Sequence, residues 1–392
     1  MESGKNIKFC CILFLLILYF LVICREGRAQ PLPLTVLTSE KVYQGYDQAF
    51  EDLWNVVVLD LSYQQITFNA ERVSRLENLR VLNLAGNPGL NFEETFSKKY
   101  FGGLQYLQVL NLQDNNLNYL PTGSTRFPFL SMLFAGKNRI SQFPESLCEA
   151  KNLSVLSLRH NKIRELPDCI SKLDSLQTLD LSGNPNLDPA TLFTKLNMLK
   201  NLKKLYLSEC GFKDIPLEIS QLQGLEMLNL AQNQLNNPPQ YLFHLSGLSE
   251  INLSSNQITR LPDDIGHLER LEVFVLGKNL LQTIPPSIGL LQNLQYLDLS
   301  GNRLQSLPDS LFRLKGLKEL NLSNNQLEKL SHLIGEIESL QALNLAGNKL
   351  KNLPFELEYC KELVYLNVTG NSFTADEKTA IRQKFVNVQI VF

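Results

Sequence analysis

One repeated phrase constrains the fold of this 392-residue chain more than any other feature of its sequence. The phrase L-x-x-L-x-L-x-x-N-x-L, or a close variant of it, occurs fourteen times, and its first positions are Val56, Leu79, Leu107, Leu130, Leu153, Leu176, Leu202, Leu225, Leu248, Leu271, Leu294, Leu317, Leu340 and Leu363. Eleven of the thirteen steps between them are 23 residues long, and the other two are 28 and 26. A fixed period over this distance predicts a solenoid of stacked repeats, not the two or three globular domains that length alone suggests.

Each repeat divides into a strand half and a return half. In the repeat that begins at Leu294, Leu297 and Leu299 alternate with polar residues, which predicts a short strand facing the interior. Successive strands would form a parallel sheet on the concave side. The return half carries a proline, as in Leu261-Pro262, and because proline lacks a backbone donor it favours short turns on the convex side.

The ninth position of the phrase is asparagine in twelve of the fourteen repeats. Buried side-chain amides at a chain bend can bond backbone groups that would otherwise stay unpaired, so these residues are predicted to form a structural ladder. Gln64 and Cys210 occupy the ladder position in the other two repeats.

The phrase, its period and the proline signature together resemble the typical 23-residue subclass of the leucine-rich repeat family, over residues 56–373. The resemblance implies an α/β fold: a right-handed solenoid, or horseshoe, with a concave parallel β-sheet and a convex side of short 3-10 turns or helices. The cysteine-free terminal segments resemble the caps of bacterial exported members of the family.

The ends of the repeat array are predicted to carry caps, because an open core and sheet edge would otherwise face water. Residues 30–55 are expected to form a helical cap, since Val42, Tyr46, Phe50 and Leu53 fall at helical spacing. Residues 374–392 are expected to form a helix–strand cap that begins with a capping box at Thr374.

The first 29 residues are predicted to be a cleaved signal peptide. Basic residues precede an uninterrupted apolar run over residues 9–24, and small residues place the cleavage site after Ala29. Two alternatives stay open: the run could remain as an uncleaved membrane anchor, or Cys24 could carry a lipid. Membrane association is expected only in those two cases.

Composition excludes several functional classes. The formal net charge of −2 gives no general attraction to nucleic acid. The four cysteines after residue 29 are widely spaced and are expected to be buried small hydrophobes rather than a disulfide framework. His244 and His267 occupy the same position of adjacent repeats and are expected to stack about 5 Å apart. No spacing indicates a metal site, a cofactor or catalytic chemistry, so the chain is predicted not to be an enzyme.

Candidate binding residues are found where the strand positions that face solvent depart from a regular column of asparagine and aspartate. Exposed aromatic and charged side chains are frequent interface anchors. Repeats 4, 5 and 7 provide them, and the predicted ligand-binding residues are Met132, Phe134, Lys137, Arg159, His160, Lys204, Tyr206 and Glu209. A second, weaker group comprises Val273, Val275, Lys278 and Tyr296.

Phe134 has an alternative position. Because Ala135 stands where nearly all other repeats have leucine, Phe134 could rotate into the solenoid and fill the gap, although strand alternation opposes this.

Two functional classes follow from these observations. The leading prediction is a secreted, periplasmic or cell-surface module that binds a protein or peptide on its concave sheet. The alternative is an intracellular signalling or structural scaffold of the Ras-scaffold-like class, which the convex proline signature would also suit. The signal segment favours the first.

Overall fold

The computed structural model describes residues 40–65, 70–96, 104–121, 123, 125–238 and 240–392. The predicted signal segment, residues 1–29, lies outside this description. The described strands are β1 Val42–Tyr43, β2 Val58–Asp60, β3 Val81–Asn83, β4 Val109–Asn111, β5 Met132–Phe134, β6 Val155–Ser157, β7 Thr178–Asp180, β8 Lys204–Tyr206, β9 Met227–Asn229, β10 Glu250–Asn252, β11 Val273–Val275, β12 Tyr296–Asp298, β13 Glu319–Asn321, β14 Ala342–Asn344, β15 Tyr365–Asn367 and β16 Gln389–Val391.

Short helices connect these strands. The α-helices are α1 Tyr46–Glu51, α2 Ala70–Val73, α3 Phe92–Thr95, α4 Pro189–Leu196 and α5 Ala375–Lys384. The 3-10 segments are η1 Leu53–Asn55, η2 Glu145–Glu149, η3 Asp168–Lys172, η4 Leu217–Gln221, η5 Gln240–His244, η6 Asp263–His267, η7 Pro286–Leu290, η8 Asp309–Arg313, η9 His332–Glu336 and η10 Phe355–Tyr359. No helix among the described residues is long and apolar enough to cross a membrane.

The strands form one parallel sheet in chain order, and this confirms the predicted solenoid. Equivalent residues of successive repeats lie opposite one another: Val273 pairs with Glu250 on one side and with Tyr296 on the other. In strands β2 to β15 the central residue faces the interior and is buried. Leu297 and Leu299 are fully buried, as alternation predicts. The return halves are mostly single 3-10 turns. Most of them begin after a proline, which supplies the extended residue that precedes the turn, as Pro262 does for η6 and Pro308 for η8.

The asparagine ladder is confirmed. In repeat 9, the amide Nδ2 of Asn256 donates to the carbonyl oxygens of Leu230 at 2.9 Å and Leu253 at 3.0 Å. Its Oδ1 accepts from the backbone N–H of Leu235 at 3.0 Å. The carbonyl of Leu253 accepts a second bond, from Asn279 Nδ2 of the next repeat at 3.0 Å. The bend at Leu253 is therefore bonded by the asparagines of two successive repeats.

Cys210 serves the ladder with a thiol. Its Sγ lies 3.5 Å from the carbonyl oxygens of Leu181 and Ser208, which are the same kinds of acceptor that asparagine uses elsewhere. Burial raises the pKa of the Cys210 thiol to about 11, so the sulfur keeps its proton and acts as a weak donor.

The two caps differ in how well the sequence predicted them. The N-terminal cap is not a continuous helix, because Val42 and Tyr43 form strand β1 and pair with Val58 and Leu59 at the sheet edge. Helix α1 begins only at Tyr46. The C-terminal helix and its capping box are confirmed, with Thr374 and Glu377 bonded reciprocally, and strand β16 closes the sheet beside β15.

The expectation that all four cysteines are unpaired was wrong for two of them. Cys148 and Cys169 form a disulfide between segments η2 and η3, with a Cα–Cα distance of 5.7 Å. The two cysteines are 21 positions apart in the sequence, nearly one repeat, so stacking brings residues with no short motif spacing into contact. Cys210 and Cys360 are buried and unpaired, as expected.

Contacts divide the chain into two compact units. The first ends at Lys162 and also includes Pro167–Leu176, and the second consists of Ile163–Leu166 and Gln177–Phe392. The predicted site residues of repeats 4 and 5 belong to the first unit, and those of repeat 7 belong to the second.

Candidate functional site

The central residue of each of strands β2 to β15 points into the interior. The residues before and after it point the other way and form the concave face of the sheet. In strand β8 of the second unit, Leu205 is fully buried, whereas Lys204 and Tyr206 are partly exposed. The same alternation continues through β15. The concave face of this unit is thus available for contact, and its character depends on which side chains stand at these two positions.

The first unit differs, and the predicted exposure of Met132 and Phe134 was wrong. In the full-length chain they are only 1% and 4% exposed. Both belong to an apolar cluster with four valines, Val58, Val81, Val109 and Val155. Val109 and Val155 flank Met132 in register on the neighbouring strands, so these side chains pack against one another along the sheet. The inward rotation of Phe134 is also not observed, because its cluster is that of the concave valines.

Three basic residues follow the ends of strands β5 and β6. Lys137 and His160 adopt positive φ angles of 52° and 49°, at the bend where the chain leaves the strand. Lys137 is exposed, and Arg159 and His160 are half-buried. A Cβ atom at Gly136 would lie 2.7 Å from Arg159 Cγ, so glycine leaves room for the arginine to lie over the preceding bend. The Nε of Arg159 is buried, with no hydrogen-bond partner in the described part of the chain.

In the second unit, Tyr206 lies in an acidic setting. Burial, together with the nearby carboxylates of Glu250 and Asp180, raises the pKa of the Tyr206 phenol to about 12. Burial also raises the pKa of Glu250, and the charge of Lys204 partly opposes that shift. Glu209 is exposed at the following bend, with a φ of 57°. Repeat 7 therefore presents an aromatic ring between charges of both signs.

A further depression lies on strands β12 to β15, where only Tyr296 was among the predicted residues. Tyr296, Glu319, Ala342 and Tyr365 stand in register on these four strands. They line a depression of about 210 Å³. Sequence reasoning overlooked Glu319 and Tyr365, although comparing the third position of successive repeats would have shown a small residue between larger ones.

The concave asparagine column has a fixed orientation. Asn321 Oδ1 accepts from the N–H of Ser323, and Asn344 Oδ1 accepts from the N–H of Ala346, both at 3.1 Å. Because the oxygens are used by the chain's own turns, the Nδ2 groups remain as donors on the concave face.

Titratable clusters are few in the described residues. His244 and His267 lie side by side as predicted, with ring centroids 6.0 Å apart. No group of three or more histidine, cysteine, aspartate or glutamate side chains in the described ranges could hold a metal ion.

Comparisons with known proteins bear directly on this surface. The sequence matches a model described as leucine-rich repeat region over residues 60–208, and one described as leucine rich repeat over residues 200–258, 246–304 and 292–350. A solved leucine-rich repeat protein of Leptospira interrogans is 32% identical, with a TM-score of 0.72, and the match covers 90% of this chain and 100% of that one. The chain belongs to the leucine-rich repeat family. No curated protein matches its sequence.

Two other solved members share the fold. An internalin of Listeria monocytogenes is 22% identical with a TM-score of 0.63, over 87% of this chain and 88% of that one. The ectodomain of a plant membrane receptor kinase of Arabidopsis thaliana, solved in complex with Casparian strip integrity factor 2, is 27% identical with a TM-score of 0.54. That match covers 83% of this chain and 48% of the ectodomain. Leucine-rich repeat folds commonly mediate protein–protein binding and are typically not enzymes.

Proposed function

We propose that the chain is an exported, non-enzymatic module that binds a protein or peptide on the concave face of its leucine-rich repeat sheet. The observation that carries the proposal is the partial exposure of concave side chains in the second unit, beside interior positions that are fully buried. Tyrosine, lysine, methionine and glutamate stand at the concave positions of strands β8 to β10. A partly exposed ring among charges is a favourable contact for another protein.

Two features support export. Residues 1–29 have the sequence of a cleaved signal peptide, with Gln30 as the mature N-terminus. The disulfide between Cys148 and Cys169 fits an oxidising compartment, where such bonds persist. The cytoplasmic scaffold, which remains the alternative, would be kept in a reducing compartment.

The proposed contact surface is centred on Tyr206, with Lys204 beside it and Glu209 at the bend. Lys137, Arg159 and His160 are proposed as contacts in the first unit. Met132 and Phe134 are not included, because both are buried in the full-length chain. The remaining domain limits are those of the sequence: a cap over 30–55, repeats over 56–373 and a cap over 374–392.

The first experiment tests export. The full chain is produced in a secreting host, and the N-terminus of the protein recovered outside the cytoplasm is sequenced. We expect Gln30. An intact Met1 in the membrane fraction would contradict cleavage and favour the anchor, and a protein retained in the cytoplasm would contradict export altogether.

The second experiment tests the contact surface. The recovered protein captures its partner from the surface fraction of the source cells, and the affinity of the purified partner is then measured for Tyr206→Ala. Loss of an anchor ring costs about 2 kcal/mol of binding free energy, or roughly thirtyfold in Kd. Tyr241→Ala is the matched control, because Tyr241 is an exposed tyrosine in η5, away from the sheet. Equal losses for the two variants would contradict the concave surface.

A further inference from the structure

The depression on strands β12 to β15 results from one small residue in a column of larger ones. Tyr296, Glu319, Ala342 and Tyr365 follow one another across four paired strands. The methyl group of Ala342 leaves space between Glu319 and Tyr365, and the two tyrosine rings border the space at either end. Its volume of about 210 Å³ equals that of roughly seven water molecules in the liquid. The space is large enough to hold one long amino-acid side chain.

The depression is acidic. The carboxylate of Glu319 is exposed, and in the described part of the chain it forms no ion pair. Glu319 stands opposite Tyr296 in register, and Asp298 lies two residues along the same strand as Tyr296. Burial, together with the charges of these two carboxylates, raises the pKa of the Tyr296 phenol. The nearby cation Lys318 is engaged elsewhere, since its Nζ donates to Gln295 Oε1 at 2.9 Å.

The rim of the depression provides hydrogen-bond donors. Asn321 and Asn344 line it, and their Oδ1 atoms are held by the backbone N–H groups of Ser323 and Ala346. Their Nδ2 groups donate to no acceptor in the described part of the chain, so they can donate to an acceptor laid across the strands. A peptide backbone offers such acceptors in its carbonyl groups.

We propose that this depression binds one arginine or lysine side chain of the protein ligand, with the adjoining ligand backbone accepting hydrogen bonds from Asn321 and Asn344. The cation would meet the Glu319 carboxylate and lie against the tyrosine rings, whose faces attract positive charge. This inference rests on the proposed function, because it assigns a ligand chemistry to one part of the concave face. It adds a second contact, separate from Tyr206.

The probe for this inference is a phage-displayed library of random twelve-residue peptides, selected on the full chain recovered from the secreting host. We expect the enriched peptides to share a basic residue at a common position. Their affinity for Glu319→Gln should be about tenfold to hundredfold weaker, because the substitution removes a charged hydrogen-bond partner and keeps the shape. Ala342→Leu, which fills the depression, should abolish binding of the same peptides.

Glu336→Gln is the matched control, since it removes an equal charge from an exposed glutamate at the end of η9. Enriched peptides without a shared basic residue, or peptides that bind Glu319→Gln as tightly as the parent chain, would overturn the inference. If the enriched peptides lose affinity only for Tyr206→Ala, concave binding stands and the cation pocket is wrong. If nothing is enriched above a blank support, both the pocket and the proposed peptide binding are contradicted.

Discussion

Replacing one ladder asparagine measures how the bends of the solenoid are held. Asn256 is 7% exposed and makes bonds to Leu230, Leu253 and Leu235. In Asn256→Ala the two carbonyls each keep another partner, Asn233 for Leu230 and Asn279 for Leu253. The N–H of Leu235 keeps none among the described residues, because its one bond is to Asn256 Oδ1.

The size of the destabilisation follows from the number of backbone groups that lose a hydrogen-bond partner. A buried donor left without an acceptor costs about 1–3 kcal/mol, and the two weakened carbonyls add a smaller amount. We therefore expect Asn256→Ala to lower the free energy of unfolding by about 2–3 kcal/mol, measured as the product of the urea midpoint and the slope. Hydrogen exchange provides a local reading, since the Leu235 amide should lose most of its protection.

Gln257→Ala is the control. Gln257 is exposed, and the hydrogen bond from its backbone N–H to the carbonyl oxygen of Leu235 does not involve its side chain. Its effect should stay within about 0.5 kcal/mol, as for an ordinary surface substitution. Equal destabilisation by the two variants, or a Leu235 amide that remains protected in Asn256→Ala, would refute the reasoning.

Three further predictions concern other parts of the chain. Cys169→Ser should lower the free energy of unfolding by about 3 kcal/mol, because the bond to Cys148 closes a loop of about 20 residues, and peptide mapping without reductant should show that pair linked and Cys210 free. Tyr206 has a phenol pKa of about 12 in the folded chain and near 10 when unfolded, so the fold holds this proton more tightly. The contribution of this proton to the free energy of unfolding is complete below pH 10 and is lost as pH rises toward 12. Urea unfolding at pH 11 should therefore show a loss of about 1 kcal/mol in the parent chain, and Tyr206→Phe should not show it. Thr374→Ala should cost about 1 kcal/mol by removing the cap of α5, and a change within experimental error would contradict the capping-box geometry.

The sequence predicted the repeat-level architecture well, because the same pattern of residues recurs in fourteen repeats. Interior positions such as Leu297 and Leu299 follow from alternation, and the bonds of Asn256 follow from the need to pair buried backbone groups. The N-terminal cap was harder, since Val42 and Tyr46 fit helical spacing equally well whether or not a strand precedes the helix. Val42 forms a strand because it pairs with Val58, and such pairing depends on residues that are distant in the sequence.

The candidate site was predicted less well, and for a related reason. Alternation placed Met132 and Phe134 on the correct face, but the apolar cluster in which they are buried is formed with valines that lie one or more repeats away. The Cys148–Cys169 bond likewise joins positions that differ within their repeats, so no fixed spacing reveals it. Glu319 and Tyr365 are ordinary residues taken singly, and only the small Ala342 between them makes a depression.

The locked amide column of the concave face has a consequence for how a ligand is aligned. Since Asn321 and Asn344 present the same donor in the same orientation on adjacent strands, a ligand that recognised only these groups could slip by one repeat at almost no cost in energy. Such a surface does not distinguish one alignment of the ligand from the next. A combination of side chains that occurs once, such as Ala342 flanked by Glu319 and Tyr365, gives one alignment a lower binding free energy than its neighbours.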